Sequence, residues 1–228
     1  MSSLIETNDC PIPGITLTIK ADTIHVASDD PLRVLSSAFV GGDLHVTRHI
    51  VNMHVPKGYD CRHASDDVVE FAKRIGIAEP VIGMMTAAYT DNAGVATESR
   101  EGLAVTAIIT AGLSNATNAG LTSPAARTVG TINTILLLDA ALTSSAMANA
   151  IISATEAKTL TLIERNVRTR EGDLASGTST DAVVVACTGR GEPLLYAGTA
   201  TVIGWLIART VRAALTQSLD ARERVMRQ

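Results

Sequence analysis

Apolar and polar residues alternate near the start of the chain. Ile15, Leu17 and Ile19 interleave with Thr16, Thr18 and Lys20, and Ile24 and Val26 flank His25. A period of two puts one set on a buried face, so two short strands joined near residues 21–22 are predicted. Asp30-Pro31 next reads as a helix N-cap with proline at the first helical position, and Gly41-Gly42 as the stop. With Leu32, Leu35 and Phe39 as its apolar stripe, this predicts a helix over 31–40. Residues 48–55 return to alternation, with Ile50, Asn52 and His54 on one face and Val51, Met53 and Val55 on the other. Ser65 then reads as a cap. Asp66 and Asp67 fall in the first turn, where negative charge is favoured, and Val68, Phe71, Ala72 and Ile75 keep helical spacing up to Gly76.

Three later runs, 81–88, 103–113 and 132–142, are apolar on both faces, as strands in the middle of a covered sheet are. Residues 91–94 read as the turn between the first two. Thr143 or Ser144 caps a long alanine-rich helix through about Glu164, and a last helix is predicted over 201–219. Residues 113–127 form a long uncharged loop of Gly, Ser, Thr and Asn, unusual for mere connection. The fold class these elements predict is α+β: a mixed, largely buried β-sheet covered by helices, with an αββα sandwich as the alternative. No linker or low-complexity tract divides residues 1–228, so a single domain is expected.

Composition narrows the function. Of 228 residues, 46% are hydrophobic and 18% charged, which is the balance of a folded globular protein. A net charge of −4 argues against nucleic acid as a partner, because phosphate binding needs a basic stripe. Aromatic residues make up 3%, with Trp205 the single tryptophan, so no base-stacking platform for a nucleic-acid strand is expected. Arg209, Arg212, Arg222, Arg224 and Arg227 give the tail a basic tendency that reads as a solvated helix face. Cys10, Cys61 and Cys187 are far apart and fit a reducing compartment. No charged-then-apolar leader is present, and no apolar run approaches the ~20 residues that span a bilayer, so a cytoplasmic protein without a membrane span is expected. Self-association into a homo-oligomer stays open.

The stretch with the most chemistry is 176–187, where Ser-Gly-Thr-Ser-Thr-Asp runs into Ala-Val-Val-Val-Ala-Cys. Strand alternation would put Thr178 and Thr180 on one face and Ser179 and Asp181 on the other, so Thr180 and Asp181 could share a substrate only if the chain bends. A polar turn satisfying its own backbone is the plainer reading. In the long helix Ile152, Glu156, Leu160 and Ile163 share a face. Glu156 is therefore expected in an apolar seam, as a raised-pKa acid or base or as half of a structural ion pair. Lys158 lies about 200° around the helix from it. His45, His49, His54 and His63 cluster in sequence near Cys61 without metal-site spacing, and no GxSxG, phosphate-binding or dinucleotide fingerprint occurs. Cys187 ends an apolar strand and reads as an inert thiol. Gly130-Thr131, Gly177-Thr178 and Gly198-Thr199 echo one another, each a flexible glycine at the entrance of a rigid element.

Taken together, the polar stretches resemble the adenosylcobinamide amidohydrolase family. The matching segments are Gly83-Met84-Met85-Thr86-Ala87, Thr110-Ala111-Gly112-Leu113-Ser114-Asn115-Ala116, Gly130-Thr131-Ile132-Asn133, Ala154-Thr155-Glu156-Ala157-Lys158, Gly177-Thr178-Ser179-Thr180-Asp181 and Tyr196-Ala197-Gly198-Thr199. Asn52 and Val55 fit an earlier part of the pattern. The resemblance runs in order from about residue 35 to 215. It implies hydrolysis of the amide between a corrin side chain and aminopropanol, a corrinoid salvage step whose chemistry three or four such residues can supply without a cofactor; no residue is assigned to a metal. In the acyl-transfer scheme these residues suggest, Thr178, then Thr180, or an activated water attacks the carbonyl. Glu156 or Asp181 serves as base, and Lys158 or Asn115 holds the oxyanion. Asn52, Thr86, Thr110, Ser114, Asn115, Thr131, Asn133 and Ser179 are the expected substrate contacts. A corrinoid carrier that binds without cleaving is one alternative. Another is an amidase or peptidase of different substrate, since the Ala-Thr-Glu-Ala-Lys helix is faintly similar to one in the αββα-sandwich aminopeptidases.

Overall fold

The computed structural model describes residues 6–124 and 130–226. In chain order its elements are β1 (Glu6–Asp9), β2 (Ile15–Lys20), β3 (Thr23–Ser36), β4 (Asp43–His54), α1 (Ala64–Arg74), β5 (Val81–Thr86), β6 (Gly94–Arg100) and β7 (Leu103–Ala111). They continue with β8 (Ala116–Thr117), β9 (Ile132–Asp139), α2 (Ser144–Glu164), β10 (Gly177–Thr178), β11 (Ala182–Cys187) and α3 (Val202–Met226).

Nine strands form one mixed sheet in the order β1-β2-β3-β11-β9-β7-β6, with β4 paired to β3 and β5 to β4. The long strand β3 makes the corner. Its first half pairs with β2 and its second half with β11, while β4 follows it along the other edge. The sheet thereby folds over itself into two layers. Strand alternation then sorts the core. Ile50, Ile82 and Met84 meet Ile108, Ile135, Leu137 and Val184 between the layers. Leu136, Leu138, Val183 and Val185 face outward against Ala146, Ala150 and Ala154 of α2 and Leu206, Ile207 and Val211 of α3. On the far side Val51 and Met53 pack on Val68 and Phe71 of α1. The result is helix, sheet, sheet, helix: the mixed buried sheet that the apolar runs predict, in the layered arrangement of the alternative.

The predicted helix over 31–40 is not formed. Pro31 lies inside β3, where the register with β4 jumps from Ala27↔His49 to Leu32↔Thr47. In that bulge a residue without an N–H forfeits no ladder hydrogen bond. The turn predicted at 91–94 is a single tight turn followed at once by β6. This strand was not anticipated; it reaches β7 through the positive-φ pair Glu101 (54°) and Gly102 (77°) of a two-residue hairpin. Ser65 does not cap α1, which begins one residue earlier and has no side-chain cap. The cap of α2 is Thr143, whose hydroxyl accepts from Ala146 N. In the loop over 113–127, residues 116–117 form β8, and 125–127 lie outside the described residues. Among the described residues no helix is long and apolar enough to cross a membrane.

The unit β9–α2–β11 positions the chemistry. Its two strands run parallel, and α2 crosses back over them. The second half of α2 therefore returns to the end of the sheet where β9 and β11 begin.

Candidate active site

A turn at Ser179-Thr180 separates β10 from β11 and supplies the bend that simple alternation lacks. It folds Asp181 back under Thr178. The carboxylate of Asp181 accepts from Thr178 N at 3.2 Å, from Ile132 N at 3.0 Å and from the Thr178 hydroxyl. Its other oxygen lies 2.5 Å from Lys158 Nζ on the inner face of α2, with the two side chains only 10% and 12% exposed. Gly177 makes this packing possible. A Cβ there would sit 2.5 Å from Asp181 Oδ2 and 2.8 Å from Lys158 Nζ. The polar-turn reading is thus partly right, since Asp181 does satisfy backbone donors, but it misses the ammonium brought from a distant helix.

A second cluster of neutral groups crosses the gap between the sheet layers. Asn133 Nδ2 donates to Asn52 Oδ1 and to Met85 O, each at 2.8 Å, and Asn52 Nδ2 donates to Thr110 Oγ1 at 3.1 Å. All three side chains are buried. The Thr131 hydroxyl lies within hydrogen-bond reach of Asn133 Oδ1 (3.0 Å) and Thr180 O (2.8 Å), and so joins the two clusters. Thr180 Oγ1 donates to Gly130 O at 2.6 Å, and Asn115 Nδ2 to Ser179 Oγ at 2.7 Å. A Cβ on Gly130 would fall 2.3 Å from Asn115 Oδ1 and 2.5 Å from Ser114 Oγ. Residues scattered over five strands and one helix therefore meet at one end of the sandwich.

Two sequence-predicted residues stand apart. Thr86 is buried and accepts from Ala88 N at 3.1 Å, shaping the turn after β5 instead of joining the network. Glu156 does share a face of α2 with apolar residues, but that face is not buried. It is exposed, as are Ile152, Leu160 and Ile163, and it forms no hydrogen bond or ion pair with a described residue. The helix packs by its small side chains, Ala146, Ala150, Ala154 and Ala157, which let it approach the sheet closely. Met147 and Leu162 join them in the core, whereas Ile152, Leu160 and Ile163 point away.

Beside Gly130 and Ser114 opens a cavity of about 250 Å³, walled by the loop after β5, by Ala111–Leu113 and by the last turns of α3. Sequence reasoning missed its lining from Lys57, Tyr89 and Arg222. Tyr89 lies two residues beyond the motif stretch that ends at Ala87, the one signal that could have marked it, while Arg222 was assigned to a solvated face. Among the described residues no group of three or more His, Cys, Asp or Glu side chains is placed to hold a metal ion. Burial pushes the Cys187 thiol up to about 12, so it stays protonated.

Chemically, a hydroxyl held by a carboxylate that is itself held by an ammonium, with buried amides alongside, is a set of groups suited to acyl transfer. Fold and cluster together define a layered α/β protein with a site of that type. Residues 12–227 match the family described as adenosylcobinamide amidohydrolase. The adenosylcobinamide amidohydrolase of Methanosarcina mazei is 32% identical over 213 residues, covering 90% of this chain and 97% of that protein. The Halobacterium salinarum protein of the same name is 38% identical over 94 residues, covering 41% of this chain and 38% of that protein. Among solved structures, the PH0078 protein from Pyrococcus horikoshii OT3 superposes with a TM-score of 0.46 at 14% identity, over 96% of this chain and 83% of that one. The chain belongs to the adenosylcobinamide amidohydrolase family.

Proposed function

We propose that this protein hydrolyses the amide joining the corrin side chain of adenosylcobinamide to aminopropanol, as a cytoplasmic step of corrinoid salvage. The observation that carries the mechanism is the Thr178 hydroxyl donating to Asp181, with Lys158 behind the carboxylate. Thr178 Oγ1 attacks the carbonyl carbon while its proton passes to Asp181. The C–N bond breaks as the amine takes up that proton, leaving an ester on Thr178 and free aminopropanol. Water then attacks the ester through the same carboxylate, releasing the corrinoid acid and restoring the hydroxyl. Lys158 holds Asp181 in place through a short charge-assisted contact. The buried Asn133–Asn52–Thr110 chain lies behind the site and, through the Thr131 hydroxyl, holds the turn that carries Thr180 and Asp181 in place.

Incubation with adenosylcobinamide and measurement of free aminopropanol tests this reading. Release that is abolished by Thr178→Ala supports it. A stable complex without release would make the protein a carrier. Cleavage of simple amides or peptides but not of the corrinoid would point to a different amidase.

A further inference from the structure

The 250 Å³ cavity is smaller than the usual range for a drug-sized ligand, and far too small for a corrin ring. It fits one substituent of a larger molecule. Gly130 lines it, and Gly130 O takes the Thr180 hydroxyl, so it lies one hydrogen bond from the turn that carries Thr178 and Asp181.

Its walls are mostly apolar, with Ala88, Ala111, Leu113 and Val225 among them. On one side stands Tyr89, 57% exposed and stacked on His54 with ring centroids 5.6 Å apart and planes 20° from parallel. His54 is itself fixed: Nδ1 lies 2.9 Å from Ala88 O, and since a carbonyl only accepts, Nδ1 carries the proton. One face of the Tyr89 ring is thus backed and the other left open. The lining contains two cations, Lys57 and Arg222, and no carboxylate among the described residues. Neither cation forms an ion pair with a described residue, whereas Arg165, Arg190, Arg209 and Arg212 all do.

A backed aromatic ring, apolar walls and uncommitted N–H donors suit a flat, uncharged heteroaromatic group bearing ring-nitrogen acceptors. We propose that this cavity seats the adenosyl group of the corrinoid, with Tyr89, Arg222 and Lys57 as the residues that recognise it. The base stacks on Tyr89, and Arg222 and Lys57 donate to its nitrogens and to the ribose oxygens. The assignment rests on the amidohydrolase reading above.

The test compares kcat/KM for adenosylcobinamide and aquocobinamide in the wild type, Tyr89→Ala and Arg222→Met, alongside equilibrium dialysis of labelled 5′-deoxyadenosine against each protein. The wild type is expected to favour the adenosylated substrate at least tenfold. Each variant is expected to bring that ratio close to one by raising KM for adenosylcobinamide at little change in kcat, because only ground-state binding is lost. The wild type should bind 5′-deoxyadenosine, and the variants at least tenfold more weakly. The assignment is overturned if the wild type treats both corrinoids alike, if the variants slow both equally, or if inorganic phosphate but not 5′-deoxyadenosine is retained, which would mark an anion site. Should the wild type cleave neither corrinoid, the amidohydrolase reading fails, and dialysis still decides the cavity by itself.

Discussion

Lys158 and Asp181, 23 positions apart in sequence, form a 2.5 Å ion pair at the buried meeting point of α2, β9 and β11. Two charges shielded to this degree are costly unless each has its partner. Asp181→Asn therefore leaves an uncompensated ammonium, and we expect it to lose about 3–5 kcal/mol in urea unfolding and about a hundredfold or more in aminopropanol release. Pairing it with Lys158→Met should recover much of the stability without restoring turnover. If the double variant regains activity, the carboxylate is a structural group and not a proton acceptor.

Of the three glycines that precede echoing polar stretches, the structure separates one from the other two. Gly177 and Gly130 are crowded by side chains of the cluster, whereas a Cβ on Gly198 meets nothing within 4 Å. Gly177→Ala must push Lys158 or Asp181 aside. A tenfold or larger fall in turnover is expected, together with a lower midpoint of unfolding. Gly198→Ala should stay within about 0.5 kcal/mol of the wild type and keep full activity, as an unobstructed surface change does. Similar losses in both variants would mean that the crowding at Gly177 is not what matters.

Glu156 belongs to a family motif, yet it projects into solvent on the opposite side of α2 from Lys158. Glu156→Gln is expected to keep turnover within twofold and to leave its pH profile unmoved. A tenfold loss would show that the exposed face of α2 takes part in the reaction, in this chain or across a contact with another copy.

That helix also marks where sequence reading stops. Periodicity finds the seam of Ile152, Leu160 and Ile163 but not its direction, because a helix packed through alanines hides its contact face from any scale that rewards large side chains. Pro31 misled for a related reason: Asp-Pro is a good helix start locally, and only the pairing of β3 with β2, β4 and β11 makes a bulged strand better. The strands 81–88, 103–113 and 132–142 were legible because both faces are buried and the apolar runs are unbroken. Asn52 and Asn133 were singled out by motif alone. Their contact depends on folding the sheet over at β3, a long-range event that no local pattern encodes. Thr178, Asp181 and Lys158 were all named, but the bond joining the ammonium to the carboxylate came from the β9–α2–β11 crossover.

Away from this site, His25 on β3 and His49 on β4 place Nε2 and Nδ1 3.1 Å apart. Burial, then His49, then Lys20 hold the His25 pKa down at about 4, against an ordinary value of 6.5. A depressed histidine is neutral in the folded chain and protonated in the unfolded one between these two values. Its contribution to stability is therefore complete above pH 6.5 and is lost as the pH falls toward 4. Allowing for water at its exposed edge, the loss is about 1–2 kcal/mol. His25→Gln keeps a side chain able to bond His49 but removes the proton site. The thermal midpoints of the two proteins, measured at half-unit steps from pH 7.5 to 4, should therefore converge or cross as the pH falls, the variant losing less. Parallel curves over the whole range would show that His25 titrates alike in both states, and that the contact with His49 does not keep it neutral.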